Sequence, residues 1–187
     1  MRRSAQISSS HCGPAVLQML LSLHGVNVLQ KDIAKVSQVT KKIRDYGMTV
    51  PEMAKAIKTL APHLTFWFKD NATAEDMDYI LNTAKHPVGI EWQGIFGQYA
   101  DEDDGHYSII TAIDIPNNKI KVSDPYRAFA GHDRIFRLNR FLKRWWDINE
   151  ILDTNTTKTI QQTDNQMMFV ITSKVDSFPA KLGMKYS

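Results

Sequence analysis

The sequence predicts an α+β protein in which an N-terminal helical part packs on an antiparallel sheet. Two observations support this fold class. Apolar residues recur at helical spacing in much of the first half of the chain, whereas later runs of strand length are rich in β-branched and aromatic residues. Between two of these later runs, residues 116–118 read Pro-Asn-Asn, a turn sequence that indicates an antiparallel hairpin.

The N-terminal helices are indicated by apolar periodicity and by end signals. The segment His11–His24 is apolar nearly all round, which predicts a buried helix, and Gly25 is placed to end it. Thr49–Glu52 reads as a capping box with an internal proline and opens a second helix. Thr73 begins a third helix. Its predicted inward face consists of Met77, Ile80, Leu81 and Ala84.

Strand-like runs lie between and after these helices. The predicted strands are Leu64–Phe68, Val88–Trp92, Tyr107–Ile113, Lys119–Ser123 and Met167–Thr172. A late amphipathic helix is predicted from the spacing of Leu138, Phe141, Leu142 and Trp145, with Trp145 packed into the core. The polar residues 153–165 read as a surface loop before the final strand.

Composition limits the function. With 187 residues, 43% of them hydrophobic, we expect a single domain over residues 1–187. A net charge of +3 is too weak to indicate nucleic-acid binding. A single cysteine excludes an intramolecular disulfide and a thiolate zinc cage. We expect no cofactor and no metal, because the histidines show no paired ligand spacing.

Targeting signals are equally sparse. No apolar run approaches the roughly 20 residues that a membrane span requires, and residues 1–10 lack the apolar core of a signal peptide. The sequence therefore predicts a cytoplasmic protein or an excised domain without a membrane segment. The acidic run Asp101–Asp104 lacks the spacing of a calcium loop and is interpreted as a solvated loop that would favour cationic substrates.

The only thiol, Cys12, lies at the start of the predicted buried helix. Free backbone N–H groups and the helix dipole stabilise a thiolate there, so such a thiol is more acidic and more reactive than a free one. Gln6 stands six positions earlier, where its amide is expected to turn back beside the Cys12 backbone N–H. Together these donors would form an oxyanion hole.

His106 and Asp124 belong to the predicted hairpin. His106 opens one strand and Asp124 ends the next, so antiparallel pairing brings the two residues close together. An imidazole oriented by a carboxylate is the partner that a nucleophilic thiol needs. The sequence therefore predicts a Cys12–His106–Asp124 triad, with Asp104 and Asp114 as alternatives for the third member.

At these residues the sequence resembles the papain-like cysteine peptidases, most closely cysteine peptidase family 39, the bacteriocin-processing double-glycine-leader peptidases. The matching residues run from Gln6 to Tyr126. They are Gln6, Cys12-Gly-Pro-Ala, Met19, His24-Gly25, Gly105-His106-Tyr107-Ser108 and Val122-Ser123-Asp124-Pro125-Tyr126. The resemblance implies a papain-like fold, a Cys12–His106–Asp124 triad and Gln6 in the oxyanion hole.

The resulting prediction is a cysteine peptidase that cleaves a peptide or protein substrate through an acyl-enzyme. Transporter-linked members of the family commonly carry an acidic residue where this chain has His11, so cleavage after a double glycine is not carried over. Two alternatives stay open on the sequence alone. The same constellation would serve a glutamine deamidase or small-molecule amidase, and the fold would also serve a non-catalytic peptide-binding module.

Overall fold

The computed structural model describes residues 1–96, 105–152 and 159–186. The helices are α1 (Cys12–Ser22), α2 (Gln30–Val36), α3 (Ile43–Tyr46), α4 (Val50–Leu60), α5 (Ala74–Asp78), α6 (Leu138–Leu142) and α7 (Phe178–Lys181), and a π-helical turn, Tyr79–Thr83, continues α5. The strands are β1 (Leu64–Lys69), β2 (Val88–Gln93), β3 (Gly105–Asp114), β4 (Lys119–Ser123), β5 (Asp133–Arg137), β6 (Trp146–Leu152), β7 (Thr159–Asn165), β8 (Met168–Ser173) and β9 (Lys185–Tyr186).

An antiparallel sheet of seven strands, in the order β5-β4-β3-β2-β8-β1-β9, forms the centre of the described structure. Strands β6 and β7 pair separately as a two-stranded ribbon. The late strand β8 lies between β2 and β1, so the C-terminal part of the chain joins strands that come much earlier. The predicted α+β class with an antiparallel sheet is confirmed.

Two apolar clusters fill the interior. One joins the helices α1, α2 and α4 to residues of β1, β3 and β8, and the other joins α5 and α6 to residues of β2, β3, β4 and β8. Because β3 and β8 contribute to both clusters, the sheet is covered by apolar residues on both faces. This double coverage fixes β3, the strand that carries His106.

The C-terminal end of α1 follows the sequence signal at Gly25. Gly25 has a φ of 73°, its N–H donates to the carbonyl of Ser22, and the N–H of Val26 donates to the carbonyl of Leu21. This is the Schellman pattern that a left-handed glycine completes after a helix. Gly25 therefore ends the helix that begins at Cys12, as predicted.

The starts of α4 and α5 also match the prediction. The Thr49 N–H donates to Glu52 Oε2 at 2.9 Å, and a capping box of the same kind links Thr73 and Asp76. Each cap provides acceptors for N–H groups that have no partner inside the helix. The third helix is shorter than predicted, because the chain widens into the π-helical turn at Tyr79.

The hairpin of β3 and β4 pairs Asp114 with Lys119 and Ile109 with Ser123. Its turn spans the predicted Pro-Asn-Asn residues 116–118, and Asn118 adopts a φ of 52°, a left-handed conformation that asparagine tolerates. The hairpin therefore places the start of β3 and the residue after β4 at the same end of the paired strands.

Several predictions in the second half of the chain are wrong. Residues 159–165 form the strand β7 and not a loop, while residues 153–158 lie outside the described residues. The late helix ends at Leu142, and Trp146 already begins β6, although Trp145 is buried in the core as predicted. The sequence analysis did not identify α2, α3, α7, β5, β6 or β9.

Among the described residues, no helix is both long enough and apolar enough to cross a membrane.

Candidate active site

Cys12 is the first residue of α1 and remains partly exposed. Its backbone N–H is one of the first-turn groups that have no acceptor inside the helix. The next residue must be small, because a Cβ on Gly13 would lie 2.9 Å from Met53 Cε and 3.3 Å from Met48 Cβ. Gly13 thus allows the start of the helix to lie against α4.

His106 and Asp124 lie together at the open end of the β3–β4 hairpin, as the sequence predicts. His106 Nε2 lies 2.8 Å from Asp124 Oδ1, and both side chains are almost completely buried. The Cys12 thiol lies next to the His106 ring, since its hydrogen-bonding and charge interactions with that ring are among the causes that raise the pKa of His106. Since Nε2 faces the carboxylate, Nδ1 is the ring nitrogen left for the thiol. The structure therefore brings Cys12, His106 and Asp124 together, with the imidazole between the thiol and the carboxylate.

The surroundings of Cys12 stabilise its thiolate form by more than burial destabilises it. Burial alone would raise the pKa of the thiol, but the His106 hydrogen bond and charge, with the backbone N–H groups of Tyr107 and Gly13, bring that pKa below its ordinary value. Burial also opposes the charged form of His106 and would lower its pKa. The interactions of the ring with Asp124 and Cys12 are stronger and raise that pKa to about 9. The arrangement favours a thiolate beside an imidazolium.

Asp124 is held on both carboxylate oxygens. Although burial raises its pKa, the hydrogen bond and charge of His106 bring the pKa below its usual range, with further contributions from Tyr126 and Arg134. The Tyr126 N–H donates to Oδ1 at 2.9 Å, and Arg134 Nη1 donates to Oδ2 at 2.6 Å. The carboxylate is therefore ionised and fixed in orientation.

Arg134 and Phe96 belong to this site, although the sequence analysis identified neither. The Phe96 ring packs edge-on against His106, with 4.9 Å between ring centroids, and also contacts Tyr126 at 4.8 Å. These aromatic contacts limit rotation of the imidazole. The available sequence signal was weak: an arginine ten residues after a predicted catalytic aspartate, directly before the apolar pair Ile135-Phe136.

Gln6 lies beside the segment that carries Asp124, since its N–H donates to the Pro125 carbonyl at 2.8 Å. Its side-chain Nε2 donates to the carbonyls of Ser8 and Ser9, at 2.8 and 2.9 Å. Both amide hydrogens are thus used within the loop that leads to Cys12. Among the described residues Gln6 Oε1 is buried without a hydrogen-bond partner.

The other acidic residues named in the sequence analysis are Asp114 and the run Asp101–Asp104. Asp114 lies at the far end of the hairpin, where its carboxylate accepts from Asn117, and is not near His106 in register. The run Asp101–Asp104 lies outside the described residues. Within the described part of the chain, no group of three or more His, Cys, Asp or Glu side chains could hold a metal ion.

Comparisons with known proteins agree with this architecture. The peptidase domain of Streptococcus ComA, a bifunctional transporter involved in quorum sensing, superimposes with a TM-score of 0.62 at 20% identity, over 92% of this chain and 98% of that domain. A double-glycine-motif protease from an AMS/PCAT transporter, solved with its leader peptide, gives 0.56 at 12% identity, over 92% and 93%. No curated protein matches the chain.

The fold is thus that of a papain-like peptidase domain, and the class is that of the cysteine peptidases. The model of the Peptidase_C39 like family matches residues 1–151, about four fifths of the sequence. The chain belongs to that family. The match ends before β8, the strand that completes the central sheet.

Proposed function

We propose that this cysteine peptidase cleaves peptide bonds with Cys12 as nucleophile, His106 as general base and acid, and Asp124 as the group that orients His106. The observation that carries the proposal is the 2.8 Å contact between His106 Nε2 and Asp124 Oδ1, which leaves the other ring nitrogen for the thiol. A thiol at a helix start with such a partner is suited to attack a carbonyl.

The proposed reaction proceeds in two steps. The Cys12 thiolate attacks the scissile carbonyl carbon, and His106 gives its proton to the leaving amine as the C–N bond breaks. Water then attacks the thioester, His106 takes a proton from that water, and the C–S bond breaks to release the acid and the free thiolate. Asp124 stays ionised throughout and stabilises the imidazolium.

The oxyanion of each tetrahedral intermediate needs donors at the start of α1. The Cys12 backbone N–H is suited to this role because it lacks an acceptor inside the helix. The Gln6 amide is the second proposed donor. Because its two hydrogens bind the Ser8 and Ser9 carbonyls, Gln6 must exchange one of these for the substrate oxygen when substrate binds.

A peptide is the proposed substrate. The relative from the AMS/PCAT transporter was solved in complex with a leader peptide, and that domain shares its fold with this chain. We also propose that residues 1–187 form one domain, since β8 inserts between β2 and β1 and links the two ends of the chain. The cytoplasmic location stays a prediction, which cell fractionation would test.

A direct test uses a complex mixture of peptides. The wild-type protein and Cys12→Ala are incubated with a proteome digest, and new peptide ends are identified by mass spectrometry. We expect new ends with wild type only, while Cys12→Ala retains the circular dichroism spectrum of the fold. Cleavage by Cys12→Ala would refute the nucleophile. Release of ammonia from glutamine without any new peptide end would instead indicate the deamidase or amidase alternative.

A further inference from the structure

A small cleft opens directly beside the proposed nucleophile. It has a volume of about 300 Å³, near the lower limit of ligand-binding pockets, which suits one side chain better than a whole ligand. Cys12 and Tyr107 line it together with four carboxylates, those of Asp45, Glu91, Asp147 and Glu150. We call this the acidic cleft. Among the described residues, no lysine, arginine or histidine lines it.

Glu91 is the unusual residue of the acidic cleft. It lies within β2, a strand that is buried along its whole length, and only 1% of the residue is exposed. Its Oε1 accepts from Asn149 Nδ2 at 3.3 Å, but its Oε2 is buried with no hydrogen-bond partner among the described residues. A buried carboxylate oxygen without a partner is costly, and it is uncommon in a region that serves packing alone.

A second unsatisfied atom lies next to it. Tyr107 pairs with Glu91 across β2 and β3, and its hydroxyl is also buried without a partner in the described structure. The two groups are neighbours, since burial and then the charge and side-chain interaction of Glu91 raise the pKa of Tyr107. By hydrogen-bond geometry, neither Glu91 Oε2 nor Tyr107 Oη has a partner among the described residues. The wall of the cleft next to Cys12 therefore carries two buried oxygens without a geometrically formed hydrogen bond to any described residue.

Asp147 adds a further negative charge at close range. Its carboxylate packs over Gly105, where a Cβ would come within 2.5 Å of both carboxylate oxygens, and Oδ1 accepts from Gln93 Nε2 at 2.8 Å. Glycine before His106 is therefore what allows this carboxylate to lie beside the strand. Asp45 and Glu150 extend the negative charge to the exposed rim.

We propose that the acidic cleft binds a lysine or arginine side chain of the substrate, within two residues of the cleaved bond, with Glu91 as its main counter-charge. A cationic head group supplies the donors that Glu91 Oε2 and Tyr107 Oη lack and meets the negative charge of the cleft. The cleft lies next to the cleaved bond because Cys12 lines it. This specificity rests on the proposed function, since it assigns a substrate class to that site.

Binding of a cation to the acidic cleft is coupled to the loss of a proton from Glu91. Burial raises the pKa of Glu91 well above its ordinary value, and the charge of Asp147 adds to this. A bound cation favours the ionised form, so binding tightens as pH rises toward the raised pKa. The groups that face Glu91 from the surrounding elements are Cys12 from α1, Tyr107 from β3, Asp147 and Asn149 from β6, and Asp164 from β7.

The first test does not depend on proteolysis. Occupancy of the acidic cleft shields Cys12, so N-acetyl-lysine methylamide should slow iodoacetamide alkylation of wild type. N-acetyl-norleucine methylamide, which lacks the amine, serves as the matched ligand and should protect at least about tenfold more weakly. Glu91→Gln keeps the size of the side chain and should abolish the difference between the two ligands. Glu75→Gln, exposed at the start of α5, is the control variant and should retain it.

The second test measures specificity during cleavage. An N-acetylated peptide library randomised around the cleaved bond should give at least about tenfold higher kcat/KM for lysine or arginine than for norleucine at one position. Glu91→Gln should reduce this ratio toward one, and Asp45→Asn, on the exposed rim, should reduce it less. The acetyl caps exclude recognition of a free α-amino group, so a preference seen only with uncapped peptides would overturn the assignment to a side chain.

The cationic specificity and the peptidase activity can be refuted by different results. Equal protection by the lysine and norleucine ligands, or a ratio unchanged in Glu91→Gln, would overturn the cationic specificity while leaving the peptidase proposal intact. Absence of cleavage together with lysine-specific protection would instead overturn the peptidase proposal and leave the acidic cleft as a cation site. If Glu91→Gln does not fold, the Asp45→Asn ratio and the ligand comparison on wild type still decide.

Discussion

Arg134 and His106 bind opposite oxygens of the Asp124 carboxylate. Arg134 Nη1 donates to Oδ2 at 2.6 Å, whereas His106 Nε2 lies 2.8 Å from Oδ1. The guanidinium is itself fixed, since Nη2 donates to the Ile95 carbonyl at 2.5 Å and the group lies 3.7 Å above the Phe129 ring. Arg134 thus holds Asp124 through the carboxylate oxygen that does not face His106.

We expect Arg134→Lys to lower kcat by about tenfold or more, because a single ammonium cannot hold both the carboxylate and the Ile95 carbonyl in the geometry of the guanidinium. The KM should change little. The pKa of Asp124 should rise without the guanidinium, so the acidic limb of activity should shift to higher pH. Arg137→Lys, at the exposed end of the same strand, is the matched control, and an unchanged kcat and pH profile in Arg134→Lys would show that Asp124 needs no such support.

Asp124→Asn should preserve the fold but disrupt the ion pair. An amide offers His106 no negative charge, so the pKa of His106 should fall from about 9 and the thiolate should lose its partner at neutral pH. Turnover should fall by up to about 10⁴-fold, the loss that the comparable change causes in a serine protease. Histidine NMR titration measures the pKa directly. A His106 pKa that stays near 9 would refute the pairing.

The pH dependence of hydrolysis and of alkylation should differ on the basic side. Below about pH 9 His106 is an imidazolium that can protonate the leaving amine, so hydrolysis should decline as pH rises through about 9. Alkylation by iodoacetamide needs only the thiolate, and it should not decline there. On the acid side both rates should fall below the lowered pKa of Cys12. Alkylation that begins only at the ordinary pKa of a free thiol would contradict the ion pair.

Gln6→Ala separates oxyanion stabilisation from thiol reactivity. Amide turnover should fall by about 10²- to 10³-fold, the usual cost of one oxyanion-hole donor, while alkylation, which develops no oxyanion, should proceed near the wild-type rate. Gln30→Ala is the control for loop support, because Gln30 binds the Ile7 N–H and the Ala5 carbonyl in the same loop. Equal losses of alkylation and turnover in Gln6→Ala would mean that Gln6 only supports the loop.

Gly89→Ala should destabilise the protein by about 1–3 kcal/mol, the range of overpacked cores. A Cβ at this position of β2 would lie 2.2 Å from Phe169 Cε2, on the paired strand β8. Adding Phe169→Leu to Gly89→Ala should recover part of the loss, which a double-mutant cycle of urea unfolding would measure. Additive effects would show that the two positions do not compete for space.

Local signals were sufficient for the parts of the site that lie on regular elements. Cys12 begins an apolar helix with its own end signal, and the hairpin turn brings His106 toward Asp124, so sequence spacing alone predicts their arrangement. The same reasoning identifies the caps at Thr49 and Thr73. Each of these features depends on residues within one hairpin or one helix turn.

Features that depend on tertiary context were not predictable from the sequence. The β7 residues are mostly polar and resemble a loop, yet pairing with β6 along their whole length makes them a strand. Arg134 reaches Asp124 only because β5 pairs with β4. The sequence analysis did not single out Glu91, although it is a lone acid in an apolar strand, because its surroundings depend on β6 residues such as Asn149.

The position of β8 in the sheet has a consequence for the timing of activity during synthesis. When a ribosome has made the chain as far as Leu152, Cys12, His106 and Asp124 already exist, but β2 and β1 have no strand between them. Pairing over such long sequence separations is slow and comes late. A nascent chain is therefore expected to be inactive until β8 has emerged and paired, so that neighbouring unfinished proteins are not exposed to a working peptidase.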